Sequence, residues 1–250
     1  MIMSDNFILR ADERGFEKIL STGKTAGYVG GHPHAFITRW SSLNFHDYQS
    51  GRSGFGRVRV FGDETFNHPG CSYSMHPHHN FIICAFVLQG TLLHVNTIGK
   101  VDELKPGDFY AFSAGSGGLH GEFNIEEEPM QAIYIWMIPN QLYLPPAYHR
   151  AHFDEAAGLN RIVTLAGEDG MMPIPQDAKV SRLVSDRAGD YTYRAASEHH
   201  GLYTFVLDGE FTCEGTLLGR RDSKGIAGAG AVRCRTGNGK TDVLFVETVM

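Results

Sequence analysis

The feature that most constrains the fold is a succession of short apolar runs separated by glycine, proline and asparagine. Typical runs are GRVRVF at 56–61 and FIICAFVL at 81–88, and the pattern resumes near residue 160. Short apolar runs with turn residues between them are typical of β-strands joined by tight turns. The sequence therefore predicts an all-β chain of barrels or sandwiches. Only ERGFEKIL at 13–20 and parts of a proline-containing connector at 140–158 suggest a helix.

A weak internal repeat indicates that one architecture occurs twice. AFVLQGTLLHV at 85–95 is similar to TFVLDGEFTCE at 204–214, and Gly90 aligns with Gly209. In each copy an apolar strand ends at a glycine that can turn the chain into the next strand. We therefore expect two domains, an N-terminal one over residues 1–145 and a C-terminal one over residues 146–250.

Composition and charge limit the partners and the compartment. The net charge of −6 gives no electrostatic reason to expect direct binding to nucleic acid or to an anionic membrane. The N-terminus lacks a basic segment followed by an apolar one, so no secretory signal is expected, and no apolar run is long enough to span a bilayer. The four cysteines lack metal-finger spacing and suit a reducing compartment. These features predict a soluble, cytoplasmic protein.

Two pairs of alternate residues suggest a metal site. His76 and His78 in SMHPHHNF would share one face of a strand, with Pro77 on the other, and the same holds for His120 and Glu122 in GLHGEFN. On neighbouring strands the two pairs would direct three neutral imidazoles and one carboxylate to one point. Such a set leaves two positions of an octahedral metal open for substrate and oxygen, which is typical of a catalytic site.

The segments around these pairs resemble the two motifs of the cupins. GCSYSMHPHHNFIICAFVLQG at 70–90 is similar to the first motif, and KPGDFYAFSAGSGGLHGEFN at 105–124 is similar to the second. The order HPH, PGD, AGSG and H-x-EFN most resembles the pirin family, which includes proteins described as quercetin dioxygenases. The resemblance extends over about residues 30–250. It implies a bicupin fold, in which two jelly-roll β-barrels pack together.

The resemblance implies that His76, His78, His120 and Glu122 are the ligands of one divalent transition metal in the N-terminal domain. Iron(II) is the default ion, while manganese, nickel, cobalt, copper and zinc are compatible with three nitrogen ligands and one oxygen ligand. The family commonly has HPHRGFE where this chain has HPHHNFI, so that Ile82 replaces a carboxylate near the site entrance.

The function implied by the resemblance is a metal-dependent dioxygenase that cleaves quercetin or a related enolisable aromatic with O2. Glu122 would then combine metal ligation with general base catalysis. An alternative is a metal-binding, redox-sensing or regulatory protein that acts through a protein partner, as is associated with pirin. A further alternative is that flavonol cleavage is a side activity and the physiological substrate is different. The sequence leaves the oligomeric state open.

The chain contains a second HPH tripeptide, in GGHPHAF at 30–36. It has no H-x-E pair at the required spacing, and it lies outside both cupin motifs. We therefore expect His32 and His34 to be residues of the surface or of the barrel rim and not ligands. Two other strand residues, His94 and Trp136, are interpreted as core or lining residues.

The C-terminal domain is expected to be metal-free and structural. Alignment of Gly209 on Gly90 puts Ala195 and Ser197 where the histidines of the ligand HPH stand, and no histidine follows His200. A second H-x-E pair therefore cannot occur in this half of the chain.

Overall fold

The computed structural model describes residues 6–22, 29–45, 52–228 and 230–250. Within these ranges the chain is almost entirely β, and helical backbone is confined to a 3-10 turn at Ala11–Glu13 and a short helix α1 at Glu155–Gly158. The predicted all-β class is therefore confirmed. None of the helices in the described ranges has the length and apolar character that a membrane span requires.

The strands are numbered in chain order. The first thirteen are β1 (Phe7–Leu9), β2 (Gly15–Leu20), β3 (Val29–Gly30), β4 (Phe36–Asn44), β5 (Val58–Phe66), β6 (Ser72–His78), β7 (Ile82–Gln89), β8 (Leu92–Asn96), β9 (Val101–Leu104), β10 (Asp108–Ser113), β11 (Gly118–Asn124), β12 (Met130–Met137) and β13 (Ala147–His152). The others are β14 (Arg161–Ala166), β15 (Ala178–Ser185), β16 (Gly189–Arg194), β17 (His200–Asp208), β18 (Phe211–Cys213), β19 (Thr216–Leu218), β20 (Ser223–Ile226), β21 (Ala231–Thr236) and β22 (Thr241–Val249).

The described residues divide into two compact units. The N-terminal unit contains the described residues within Gly15–Ser53 and Val58–His152. The C-terminal unit contains the described residues within Met1–Arg14, Gly54–Arg57 and Phe153–Met250. Strand β1 belongs to the C-terminal unit because it pairs with β20 at the edge of a sheet. Strand β1, which precedes the region of motif resemblance, thus completes a sheet whose other strands come from the second half of the chain.

The N-terminal unit consists of two antiparallel sheets around an apolar core. One sheet has the strand order β13-β10-β7-β12-β5-β4-β2, and the other has the order β3-β6-β11-β8-β9. Both sheets supply buried core side chains, including Phe66, Tyr110 and Phe112 from the first and Leu92 and Tyr73 from the second. Burial of these apolar faces against each other stabilises the unit.

The C-terminal unit repeats this arrangement. Its sheets have the orders β1-β20-β17-β22-β15-β14 and β16-β21-β18-β19, so the orders β10-β7-β12-β5 and β6-β11-β8-β9 each recur ten strands later. The predicted repeat is confirmed, because β7 and β8 correspond to β17 and β18. Gly90 and Gly209, at the turns between these strands, have φ angles of 70° and 80°, which a side chain rarely adopts.

One secondary-structure expectation was wrong, and another holds only for part of its segment. Segment 13–20 is not a helix, because Gly15–Leu20 forms a strand that pairs with β4 along its whole length. The connector at 140–158 contains the strand Ala147–His152, which pairs with β10, and only its end is helical, at Glu155–Gly158. In both cases cross-strand hydrogen bonds from distant parts of the chain outweigh a weak local preference.

Candidate metal centre

The two predicted residue pairs lie on adjacent antiparallel strands. His76 of β6 is directly opposite His120 of β11, and His78 is opposite Gly118. Met75 and Pro77, on either side of His76, are exposed, whereas His76 and His78 are partly buried, which matches the predicted alternation. The pleat of two neighbouring strands therefore turns three imidazoles to one side of the five-stranded sheet.

These three imidazoles form a compact group. Within the described ranges, His76, His78 and His120 are the set whose possible ligand atoms all lie within 4.8 Å of one another. Their ring centroids are separated by 4.6 Å (His76–His120), 4.8 Å (His76–His78) and 5.0 Å (His78–His120). The spacing suits the coordination of a single ion.

Hydrogen bonds orient two of the rings. Nδ1 of His76 donates to the carbonyl oxygen of Ser74 at 2.8 Å, so that Nε2 carries the lone pair. Nδ1 of His120 lies 3.1 Å from Nε2 of His94. The Nε2 atom of His120 is buried and has no hydrogen-bond partner among the described residues. A buried ring nitrogen without a partner is unfavourable in an apolar site and fits a metal ligand well.

The electrostatic environment favours the neutral form of two of the three imidazoles, those of His76 and His120. Burial lowers the pKa of His76, and it lowers that of His120 well below the ordinary value of a histidine. The other histidines of the group lower the pKa of His120 further, because adjacent imidazolium charges repel each other. Neutral imidazole is the form that coordinates a metal.

Glu122 lies beside this group but outside it. The residue is 2 % exposed, and its Oε1 accepts a hydrogen bond of 2.6 Å from the hydroxyl of Tyr110. The same oxygen is 3.6 Å from Nδ1 of His120. Burial raises the pKa of Glu122 to about 8, against the opposing effect of the Tyr110 hydrogen bond. The structure thus brings three of the four predicted ligands together and places the fourth next to them.

A buried ion pair lies behind Glu122. Arg39 contacts Glu64 at 3.0 Å, and the hydroxyl of Tyr73 donates to the second oxygen of Glu64 at 2.7 Å. Arg39 also donates to the Tyr73 hydroxyl at 2.6 Å. The charge of Glu64 contributes to the raised pKa of Glu122, whereas the charge of Arg39 lowers it. The pair therefore places a second buried carboxyl group near the site.

Aromatic rings line one side of the histidine group. The indole of Trp136 meets His78 edge to face, with centroids 4.8 Å apart. Phe81 lies 5.8 Å from Trp136 and stacks on Phe45 at 5.5 Å. We call Phe45, Phe81 and Trp136 the aromatic wall. Such a surface offers flat faces and edges to another aromatic ring.

Loops next to the site are tied together through Asn80. Its side-chain Oδ1 accepts a hydrogen bond of 2.7 Å from the backbone N–H of Tyr143, and its own N–H donates to the carbonyl of Gly115. Asn80 has a φ of 55°, a conformation that asparagine tolerates better than most residues. This residue belongs to the HPHHNFI segment that departs from the common family form.

The remaining candidate histidines lie elsewhere. His32 and His34 are exposed in a turn, and Nδ1 of His32 accepts a hydrogen bond from the backbone of His34. His94, interpreted from the sequence as a core or lining residue, is fully buried, and the sequence did not indicate its contact with His120. The alternation of β8 places His94 at an inward position, which is equally typical of a core histidine.

In the C-terminal unit the corresponding positions are apolar. By register, the positions of His76, His120 and Glu122 correspond to Tyr193, Val232 and Cys234. These side chains belong to the core of that unit. The ungapped alignment, which places Ala195 at the position of His76, is shifted by two residues because loop 195–199 is longer than loop 79–81.

Comparison with known proteins relates most of the chain to one family. The family model described as Pirin matches residues 21–137, and the model described as Quercetinase C-terminal cupin domain matches residues 161–248. The chain belongs to the pirin family. The two matches fall on the two repeated units, and they agree with the predicted all-β bicupin fold.

Individual pirin-family relatives show the same relationship. The quercetin 2,3-dioxygenase of Escherichia coli (strain K12) is 26% identical over 214 residues, which cover 85% of this chain and 92% of that protein. The pirin-like protein of Caulobacter vibrioides is 28% identical over 203 residues, which cover 79% and 87%. The crystal structure of bacterial pirin YhhW from Escherichia coli in complex with nickel(II) has a TM-score of 0.81 at 21% identity and covers 98% of this chain and 99% of that chain. That likeness extends the shared fold over nearly the full length.

Proposed function

We propose that this pirin-family protein is a metal-dependent dioxygenase that acts on a flavonol or a related enolisable aromatic, with O2 as the second substrate. The observation that carries the proposal is the group of three imidazoles whose possible ligand atoms lie within 4.8 Å of one another, next to the buried carboxyl group of Glu122. The names of relatives support the same reaction class, since one is a quercetin 2,3-dioxygenase.

The proposed ligands are His76, His78 and His120, with Glu122 as the fourth. The partnerless Nε2 of His120 and the bonded Nδ1 of His76 support this assignment, because both leave Nε2 for an ion. Iron(II) is our first choice of ion, and the nickel in the YhhW crystal structure supports the wider class of divalent transition metals. We assign no metal to the C-terminal unit, in which the corresponding positions are part of the core.

A divalent metal at this site would supply Lewis acidity, which lowers the pKa of a coordinated hydroxyl group. Glu122 is suited to accept the proton that such a hydroxyl releases. Its raised pKa of about 8 in the metal-free protein reflects a high affinity for a proton, the charge of a divalent metal beside it would keep it ionised and able to accept one, and Tyr110 holds its Oε1 in place. The proton would therefore move from the substrate hydroxyl to the Glu122 carboxylate.

The aromatic wall is suited to bind the flat substrate. Trp136 is next to His78 and continues through Phe81, so a planar ring held near the imidazoles would meet an aromatic surface. Stacking of this kind contributes about 0.5–1.5 kcal/mol per ring pair beyond the buried area. It would orient the substrate without selecting one pattern of hydroxyl groups.

The test is oxygen uptake with quercetin by the iron-loaded protein, with wild type beside Glu122→Ala and Trp40→Leu. Trp40 of β4 packs against Phe16 of β2. Its substitution serves as a control for the loss of an aromatic residue outside the proposed site. We expect uptake by wild type and Trp40→Leu, and loss of uptake by Glu122→Ala. A wild-type protein that binds metal but consumes no oxygen with quercetin or other flavonols would refute the proposal and favour a sensing role.

A further inference from the structure

His94 is a buried histidine directly behind a proposed metal ligand. It is fully buried in β8, and its Nε2 is 3.1 Å from Nδ1 of His120. Its ring stacks nearly parallel to Tyr148, at 5.1 Å and 7°, and lies 4.2 Å from Tyr110. The two tyrosines restrict rotation of the His94 ring, so the direction in which Nε2 points is fixed by packing.

The hydrogen bond between the two histidines can run in either direction, and the direction determines what His120 can do. If His120 donates from Nδ1, its Nε2 keeps a lone pair. If His94 donates from Nε2, neutral His120 must carry its proton on Nε2, which then cannot coordinate a metal. Either direction leaves one buried N–H without a partner among the described residues, on Nδ1 of His94 in the first case and on Nε2 of His120 in the second, and only the first leaves the Nε2 lone pair of His120 free for a metal.

We propose that His94 is a positioning residue for His120: its Nε2 accepts the Nδ1–H of His120 and thereby fixes the tautomer and ring orientation that metal binding requires. This inference rests on the proposed metal-binding function of the site. It gives His94 a role in orienting a metal ligand, whereas its burial alone would indicate only a core histidine.

No other described acceptor is as well placed for this task. Glu122 Oε1 lies 3.6 Å from Nδ1 of His120, beyond a good hydrogen bond, and already accepts from Tyr110. Phe112 stacks on His120 with centroids 4.9 Å apart, but it has no polar atom. His94 therefore supplies the acceptor, and Phe112 supplies packing. Partners of this kind behind a metal-binding histidine typically contribute 10–100-fold to metal affinity.

The first experiment measures the tautomer of His120 by 15N NMR in the metal-free, full-length wild-type protein. We expect a protonated Nδ1 that is hydrogen-bonded to His94 and an unprotonated Nε2. A neutral His120 that is protonated on Nε2 would overturn the proposal. Because this measurement needs no metal, it reads the His94 contact even if the protein proves not to bind one.

The second experiment compares metal affinity in three variants by chelator competition with Ni2+. His94→Phe keeps a flat ring but loses the acceptor, and it should weaken binding by about 10–100-fold. His94→Gln retains an oxygen that can accept from Nδ1, and it should restore most of the affinity. Phe112→Leu alters packing on His120 without removing a hydrogen bond, and it should have a much smaller effect.

Each contrary result has a distinct meaning. Equal losses in His94→Phe and Phe112→Leu, or no recovery in His94→Gln, would show that His94 acts through packing and overturn the inference. Absence of Ni2+ binding by wild type would refute the proposed function of the site. If His94→Phe fails to fold, the wild-type tautomer and the His94→Gln affinity still decide the question.

Discussion

His76 and His120 lie directly opposite each other on β6 and β11, and their imidazole centroids are 4.6 Å apart. They are 44 positions apart in sequence and meet because the sheet places β11 next to β6. His78 completes the group two residues further along the same strand. The site is therefore built on paired strands, which hold side chains more rigidly than loops do.

Glu122→Gln should change how the stability of the metal-free protein depends on pH. Because burial raises the pKa of Glu122 from 4.5 to about 8, the folded protein holds this proton where the unfolded chain would release it. The contribution of Glu122 to the free energy of unfolding is therefore fully present below about pH 4.5 and is lost as the pH rises through about 8. Glutamine stays neutral at every pH. Between pH 5 and pH 8, the free energy of unfolding of the variant should therefore rise relative to that of wild type by on the order of a few kcal/mol.

Urea unfolding of both metal-free proteins at pH 5, 6.5 and 8 measures this difference. Because the other titrating groups are common to both proteins, only the difference between them reports on Glu122. Parallel stability curves for wild type and Glu122→Gln across this range would show that Glu122 is ionised and stabilised in the metal-free fold.

Trp136→Leu should weaken substrate binding and leave metal content unchanged. The indole contacts His78 edge to face, and its loss removes an aromatic surface from the proposed substrate site. We expect KM for quercetin to rise about two- to tenfold, in line with a stacking contribution of about 0.5–1.5 kcal/mol. Steady-state kinetics with Trp40→Leu as control checks this, and an unchanged KM would place the substrate away from the wall.

Asn80→Gly should loosen the backbone at Tyr143. Glycine tolerates the φ of 55° but lacks the oxygen that accepts from the Tyr143 N–H at 2.7 Å. Amide hydrogen exchange at Tyr143 should accelerate about fivefold, which corresponds to one hydrogen bond of about 1 kcal/mol. Asn80→Asp keeps an acceptor and should exchange slowly. Equal exchange in both variants would show that the side chain does not hold this loop.

Gly90→Ala should destabilise the protein more than Gly99→Ala. Both glycines have positive φ angles, 70° and 84°, so both substitutions strain the backbone. A Cβ at Gly90 would approach Cα of Met130 to 2.9 Å, whereas one at Gly99 would meet nothing within 4 Å. We expect a loss of about 1 kcal/mol for Gly99→Ala and about 2–4 kcal/mol for Gly90→Ala, by chemical denaturation. Equal losses would mean that strain alone makes Gly90 necessary.

The sequence alone predicts the fold and the position of the site, because both depend on short-range patterns. Alternation of residues in β6 places His76 and His78 on one face, and the repeat at Gly90 and Gly209 reveals two similar units. Contacts between distant strands are less accessible to such reasoning. Segment 13–20 becomes a strand only because β4 offers an edge to pair with.

The details of the site also depend on long-range contacts. His94 carries no sequence signal that separates it from a core histidine, since its contact with His120 arises from the pairing of β8 with β11. The position of Glu122 beside the imidazoles rather than among them depends on Tyr110, which comes from the opposite sheet. No local pattern indicates that tyrosine.

The most direct test of the account compares the two HPH tripeptides of the same chain. Metal content per chain is measured after loading and desalting for wild type, for the double variant His76→Ala/His78→Ala and for its matched control His32→Ala/His34→Ala. We predict about one metal ion per chain in wild type and control and almost none in His76→Ala/His78→Ala. Full metal content in His76→Ala/His78→Ala, or its loss in His32→Ala/His34→Ala, would contradict the assignment of the metal to the β6 and β11 histidines.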